Sequence, residues 1–166
     1  MADYDCTIND LDSAIARNKD DKKLYNNRGL AKFNAKDFMG AIADYTKAIE
    51  IDSMYIDPYT NRSNVNEHLG NFEASLKDLG YVIKHDPKAV YYNMRGVIYG
   101  RMQVFDMALN DFDKAIALDS GASEYYFNKG NALLSLGNKD EACKHWKKSK
   151  DMGNKSAGNW IDGYCR

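Results

Sequence analysis

The sequence predicts an all-α chain of stacked antiparallel helix pairs, and three observations predict it. First, an aromatic, a Gly or Ser four residues on, a small residue twelve further and a bulky one four beyond recur along the chain. They appear as Tyr25, Gly29, Ala41 and Tyr45; Tyr59, Ser63, Ser75 and Leu79; Tyr92, Gly96, Ala108 and Phe112; and Tyr126, Gly130, Ala142 and Trp146. A period of about 34 residues belongs to repeated supersecondary units, not to one globular core. Second, Ala41, Tyr45 and Ala48, and again Ala108, Phe112 and Ala115, fall at helical spacing and alternate small with large, so that two helices interlock. Third, only two prolines interrupt the 166 residues, and no β-rich alternating run appears.

Taken in order, residues 4–17 carry Tyr4, Thr7, Leu11 and Ala14 in the phase of Phe38, Ala41, Tyr45 and Ala48. They read as the second helix of a unit whose first helix is absent. That helix, with Ile8, Leu11 and Ile15 at helical spacing, has no visible cover on its outer side, so the chain is expected to be part of a longer one or that face to meet something. Full units follow over 22–54, 55–88, 89–121 and 122–153. In each, the aromatic and small residue share one helix face, and Gly29, Ser63, Gly96 and Gly130 admit the second helix closely. The second unit, with Ser63, Ser75, Leu79 and Val82, is expected to pack least like the others and to deform most readily. Residues 154–166 close the array, Trp160, Ile161 and Tyr164 supplying an apolar cap. The expectation is about nine helices in a single domain over 1–166.

These residues resemble the tetratricopeptide repeat, a helix-turn-helix unit with the pattern aromatic, Leu-Gly, aromatic, Ala-x3-Phe, Pro. Tyr99 fills the second aromatic slot in the third unit, and Pro87 the closing proline in the second. Lys32, Asn66 and Leu133 depart from the second aromatic, and Ser53 and Ser120 from the proline. The resemblance implies a right-handed superhelical solenoid whose first helices line a concave groove, and a protein that binds another polypeptide there.

The groove positions that the resemblance assigns include Asn27, Phe33, Asn61, Asn64, His68, Met94, Arg101, Phe127, Asn128 and Asn131. Asparagine is a poor helix former, so its recurrence on successive first helices needs a reason. Its amide complements a peptide bond. A row of Asn27, Asn61 and Asn128 is similar to the asparagine ladders by which some such arrays hold a main chain, with Phe33, Met94 and Phe127 offering apolar pockets. The alternative is that these amides bond neighbouring helices. The carboxylate clamp that related arrays use for chaperone C-terminal tails is not matched. Its slots hold Asn26, Leu30, Asn61, Val90 and Met94, or one unit along Thr60, Asn64, Met94, Glu124 and Asn128, with one agreement in each window. A terminal carboxylate there would be desolvated without a cation.

Other functions find less support. Net charge is −1, which draws in neither nucleic acid nor anionic membrane, and no apolar run reaches the length of a membrane span. With no leader pattern the chain is expected to be cytoplasmic, export remaining open if a leader has been removed. Lys144, Lys147, Lys148 and Lys150 read as a solvated helix face. Cys6, Cys143, Cys165, His68, His85 and His145 make no metal-ligand spacing, and no cofactor is expected. Cys143 and Cys165 fit either a disulfide closing the C-terminus or buried thiols. Arg28, Arg62, Arg95 and Lys129 recur with Asp44, Asp78 and Asp111 at the unit period, as a structural ion-pair ladder would, whereas a catalytic site would be unique. No nucleophile elbow or phosphate loop appears, so no enzyme is expected. The alternative to groove binding is a structural module that stacks head-to-tail through its terminal helices.

Overall fold

The computed structural model describes residues 4–165; residues 1–3 and 166 of the expected domain lie outside them. All regular structure among the described residues is helical: α1 (Tyr4–Arg17), α2 (Lys22–Asn34), α3 (Phe38–Ile51), α4 (Asp57–His68), α5 (Phe72–His85), α6 (Ala89–Arg101), α7 (Phe105–Leu118), α8 (Ser123–Ser135), α9 (Lys139–Asp151) and α10 (Ser156–Tyr164). Ten helices stand where nine are expected. Every anticipated element is present; an orphan helix, four pairs and a closing helix simply make ten.

The chain forms two compact units, residues 1–86 and 87–166. Unit one holds α1 followed by the pairs α2/α3 and α4/α5. Unit two holds α6/α7 and α8/α9 followed by α10. Within each unit the apolar clusters straddle a pair and the next helix: Ala41, Tyr45 and Val65 in the first, Ala108, Phe112 and Ala132 in the second. Helices of nine to fourteen residues are marginal alone, so these shared clusters carry their stability.

The spaced signature is a set of close approaches. A Cβ on Gly29 would stand 2.6 Å from the Tyr45 ring, on Gly96 2.7 Å from Phe112, and on Gly130 2.5 Å from Trp146. Any of these clashes would force a fully buried ring aside, at roughly 1–3 kcal/mol. The second repeat solves the approach differently. Ser63 and Ser75, both fully buried, bring their hydroxyls to 2.7 Å, and Ser75 Oγ donates to the Ser63 carbonyl at 2.9 Å. Leu79 in place of a ring accompanies the two hydroxymethyl groups.

Each first helix ends in a left-handed residue at the same slot: Lys36 (φ 66°), Gly70 (79°), Gln103 (62°) and Gly137 (81°). The turn closes the last carbonyls, as where Asp37 N–H reaches Lys32 O at 2.8 Å and Val104 N–H reaches Tyr99 O at 2.9 Å. Lys36 and Gln103 each bear about 1 kcal/mol of left-handed strain that glycine would avoid. This alternation exposes a longer period. A step of 67 residues carries Lys36 to Gln103, Gly70 to Gly137 and Leu69-Gly70-Asn71 to Leu136-Gly137-Asn138, so unit two repeats unit one as a pair of repeats.

Charged side chains form the expected ladder. Arg28 grips Asp44 with Nε at 2.8 Å and Nη2 at 2.5 Å, Arg62 grips Asp78 at 2.9 and 2.7 Å, and Arg95 grips Asp111 at 2.7 and 2.8 Å. Each guanidinium also lies over the tyrosine three residues before it, at 5.5–5.8 Å. The aspartate bonds raise all three arginine pKa values further above the usual. Arg28 and Arg62 reach back as well, to Asp12 at 2.6 Å and Thr46 Oγ1 at 2.8 Å. The fourth rung breaks: His145 stands where the aspartate would be, and Lys129 turns back to Asp113 at 2.6 Å.

At the C-terminal end Ala157 is fully buried, while Trp160 packs 5.2 Å from Trp146 and stacks on Tyr164 at 5.5 Å. Of the two states open for the cysteines, the structure has the bond: Cys143 and Cys165 are joined, with Cα atoms 5.7 Å apart. Cys6 is exposed and outside that bond.

Candidate functional site

The sequence-selected residues divide between the two units. In unit one, Asn61 on α4 donates from Nδ2 to Asn26 Oδ1 on α2 at 2.9 Å, which ties adjacent first helices together. Asn27 and Asn64 are exposed on their helices. Phe33 packs against the cluster of Ala41, Tyr45 and Val65, with its ring 5.7 Å from Phe38 and edge-on to His68 at 6.4 Å.

In unit two the same arrangement returns with different occupants. Asn128 on α8 donates to Asn93 Oδ1 on α6 at 3.0 Å. Asn93, like Asn26, is about 5% exposed, and its carbonyl would be costly to leave unpaired. One N–H of each Asn61 and Asn128 amide is therefore spent between helices, and the carbonyl oxygens are not part of those bonds. Asn131 Oδ1 accepts from Trp146 Nε1 at 3.0 Å. An indole N–H can only donate, so the Asn131 carbonyl is fixed on Trp146 and its NH2 group is left for other partners. Phe127 turns to α10, edge-on to Trp160 at 6.2 Å, and Met94 is half-buried on α6.

Three of the selected residues, Arg101, Asn128 and Asn131, line one cavity of about 250 Å³ between α6, α7 and α8. Its apolar walls are Val97, Phe105, Phe112 and Ala132, and Ser135 completes the polar side. Gly100 forms the remaining wall, and a Cβ built there would meet nothing within 4 Å. Phe112 is legible in the sequence only as a packing residue, and Gly100 and Phe105 are not singled out there. A signal was present: at the slot of Gly100 the other repeats carry Phe33, Glu67 and Leu134. A second polar cavity flanks the disulfide beside Lys139, Asp140, Lys144 and Lys147. No group of three His, Cys, Asp or Glu placed to hold a metal exists among the described residues, and none of the described helices is long and apolar enough to cross a membrane.

Helix pairs of this period, interlocked through glycine and ring, define a helical-repeat array. Sequence models of the tetratricopeptide repeat match residues 23–55 and 93–146, and the chain belongs to that family. Among curated proteins it is 32% identical over 124 residues to human serine/threonine-protein phosphatase 5, covering 71% of this chain and 24% of that one. It is 29% identical over 140 residues to the heat shock protein STI1 of Saccharomyces cerevisiae, covering 83% and 18%. The chain thus spans a quarter or less of the length of these relatives. Among solved structures, a crystal structure of MamA has a TM-score of 0.85 at 22% identity, over 94% of this chain and 92% of that one. YrrB, described as a tetratricopeptide repeat protein with an unusual peptide-binding site, has a TM-score of 0.75 at 22% identity, over 89% and 77%. At these identities the likeness is one of fold.

Proposed function

We propose that the chain is a non-enzymatic scaffold that binds an extended polypeptide segment along the inner face of its first helices. The observation that carries this reading is the cavity: Arg101, Asn128 and Asn131, three of the positions that the family resemblance assigns to the groove, line one apolar-walled hollow. On the first helices of unit one, Asn27 and Asn64 are exposed and carry the same amide chemistry. Peptide main chain is the ligand class that amide side chains complement, each offering donors and an acceptor. At the slots where a clamp for terminal carboxylates would place cations stand Asn26, Val90 and Met94, so a tail held by such a clamp is not the ligand.

The test places a photo-crosslinking phenylalanine analogue at Asn27 or at Asn64, and as control at Met39, which is 71% exposed on a second helix. Polypeptide adducts from native extract should form from Asn27 and Asn64 and be several-fold weaker from Met39. Equal or stronger adducts from Met39 would remove the inner face as the binding surface.

A further inference from the structure

The 67-residue step makes each unit a control for the other. It carries Leu30, Phe33, Phe38 and Tyr45 of unit one to Val97, Gly100, Phe105 and Phe112 of unit two, and Asn61 and Asn64 to Asn128 and Asn131. In unit one the place is occupied: the Phe33 ring lies on Ala41, Tyr45 and Val65, beside Phe38 and His68. In unit two Phe33 becomes Gly100, Val65 becomes Ala132 and His68 becomes Ser135. All three changes remove volume from one spot, and the hollow of about 250 Å³ lies there. Gly100 relieves no clash, unlike Gly29, Gly96 and Gly130, and a helical glycine without a packing role lowers stability relative to alanine. Its effect in this helix is to leave the space open.

We infer that this hollow is a specificity pocket for an aromatic side chain, phenylalanine above all, presented by an extended polypeptide. The inference rests on the reading of the inner face given above. The protein itself supplies the template, since unit one seats a phenyl ring among the equivalent residues. The polar side supplies the main-chain contacts. Trp146 fixes the Asn131 carbonyl and so leaves its NH2 to donate to a peptide C=O, while Asn128, donating to Asn93, keeps its carbonyl for a peptide N–H. The two asparagines are three residues apart on α8 and therefore share a face. Arg101 and Ser135 at the same side add polar character without charge of the opposite sign.

The experiment uses the full chain, nitrogen-15 labelled, titrated with Ac-Gly-Ser-Gly-Phe-Gly-Ser-Gly-NH2, with the same peptide carrying Ala for Phe, and with toluene. The Phe peptide should shift the Asn128 and Asn131 side-chain amides and the Trp146 indole N–H, at least tenfold more tightly than the Ala peptide. Gly100→Phe should abolish that binding while the melting temperature stays at or above that of the parent, because the ring enters a seat that already exists. Gly100→Ala, which fits the open space, keeps the fold and should weaken the Phe peptide only partly. Phe-peptide binding that survives Gly100→Phe overturns the pocket and leaves the inner-face reading standing. Shifts with toluene but with neither peptide overturn the peptide assignment. Equal binding of the Phe and Ala peptides overturns the aromatic specificity.

Discussion

Arg62 holds Asp78 through two parallel hydrogen bonds, Nε at 2.9 Å and Nη2 at 2.7 Å, with the carboxylate side chain only 5% exposed. That geometry joins the first and second helices of one repeat, and it recurs at Arg28 and Arg95. Removing one partner of such a pair leaves a charge facing a low-dielectric wall. Asp78→Ala should therefore cost about 3 kcal/mol, read from urea denaturation. Asp12, bonded to Arg28 but 51% exposed, should cost less than about 1 kcal/mol when replaced by alanine. Equal losses at the two sites would mean that burial does not set the strength of these rungs.

The broken fourth rung predicts a pH dependence. Burial holds the His145 pKa below its ordinary value of 6.5, with the Lys129 charge adding to the effect. Below pH 6.5 the unfolded chain then binds more protons than the folded one, so stability falls as the pH drops from 6.5 toward the folded-state pKa, and well above pH 6.5 it is insensitive to this group. Lys129→Arg with His145→Asp recreates the pairing seen at Arg95 and Asp111. The double variant should gain about 1 kcal/mol at pH 7, and urea melts at pH 5.5 and 7 should differ less than in the parent. An unchanged difference would show that His145 is not the group responsible.

The parts of this fold that were legible in the sequence are those where one residue type has one physical use. A glycine facing a ring across a helix pair is such a case, and Gly29, Gly96 and Gly130 mark three of the four pairs. Asparagine is not: its amide serves a neighbouring helix or a ligand equally well, and register alone did not divide Asn61, bonded to Asn26, from exposed Asn64. The cavity was harder still, because it is made by what Gly100 lacks. The cysteine pairing depended on whether α10 turns back upon α9, which follows from Ala157 and Trp160 packing on Trp146 and not from the spacing of Cys143 and Cys165.

The disulfide makes its own prediction. It closes a segment of 22 residues, and the loop-entropy argument gives such a bond about 3 kcal/mol. α10 has only nine residues and sets its Ala157 into the apolar cluster of Leu133, Ala142 and Trp146. Cys143→Ser with Cys165→Ser should lower the melting temperature and speed hydrogen exchange in α10 before the other helices. Thiol titration of the oxidised, unfolded protein should count one; a count of three would show that the bond does not form.

Ser63 and Ser75 test whether the second repeat is weakened or merely built otherwise. Their hydroxyls are fully buried and satisfy each other, Oγ to Oγ at 2.7 Å, with Ser75 also donating to the Ser63 carbonyl. Ser75→Ala removes one member and leaves the Ser63 hydroxyl with only a 3.3 Å bond to the carbonyl of residue 75. An ill-satisfied buried hydroxyl costs about 1–3 kcal/mol. Ser63→Gly with Ser75→Ala restores the small residues found at Gly96 and Ala108 and removes both polar groups together. The double variant should consequently recover at least half of the loss of the single one, a coupling visible in a double-mutant cycle by chemical denaturation. Additive losses would instead mean that each serine contributes through its own packing, and that the hydroxyl pair has no part in holding α4 against α5.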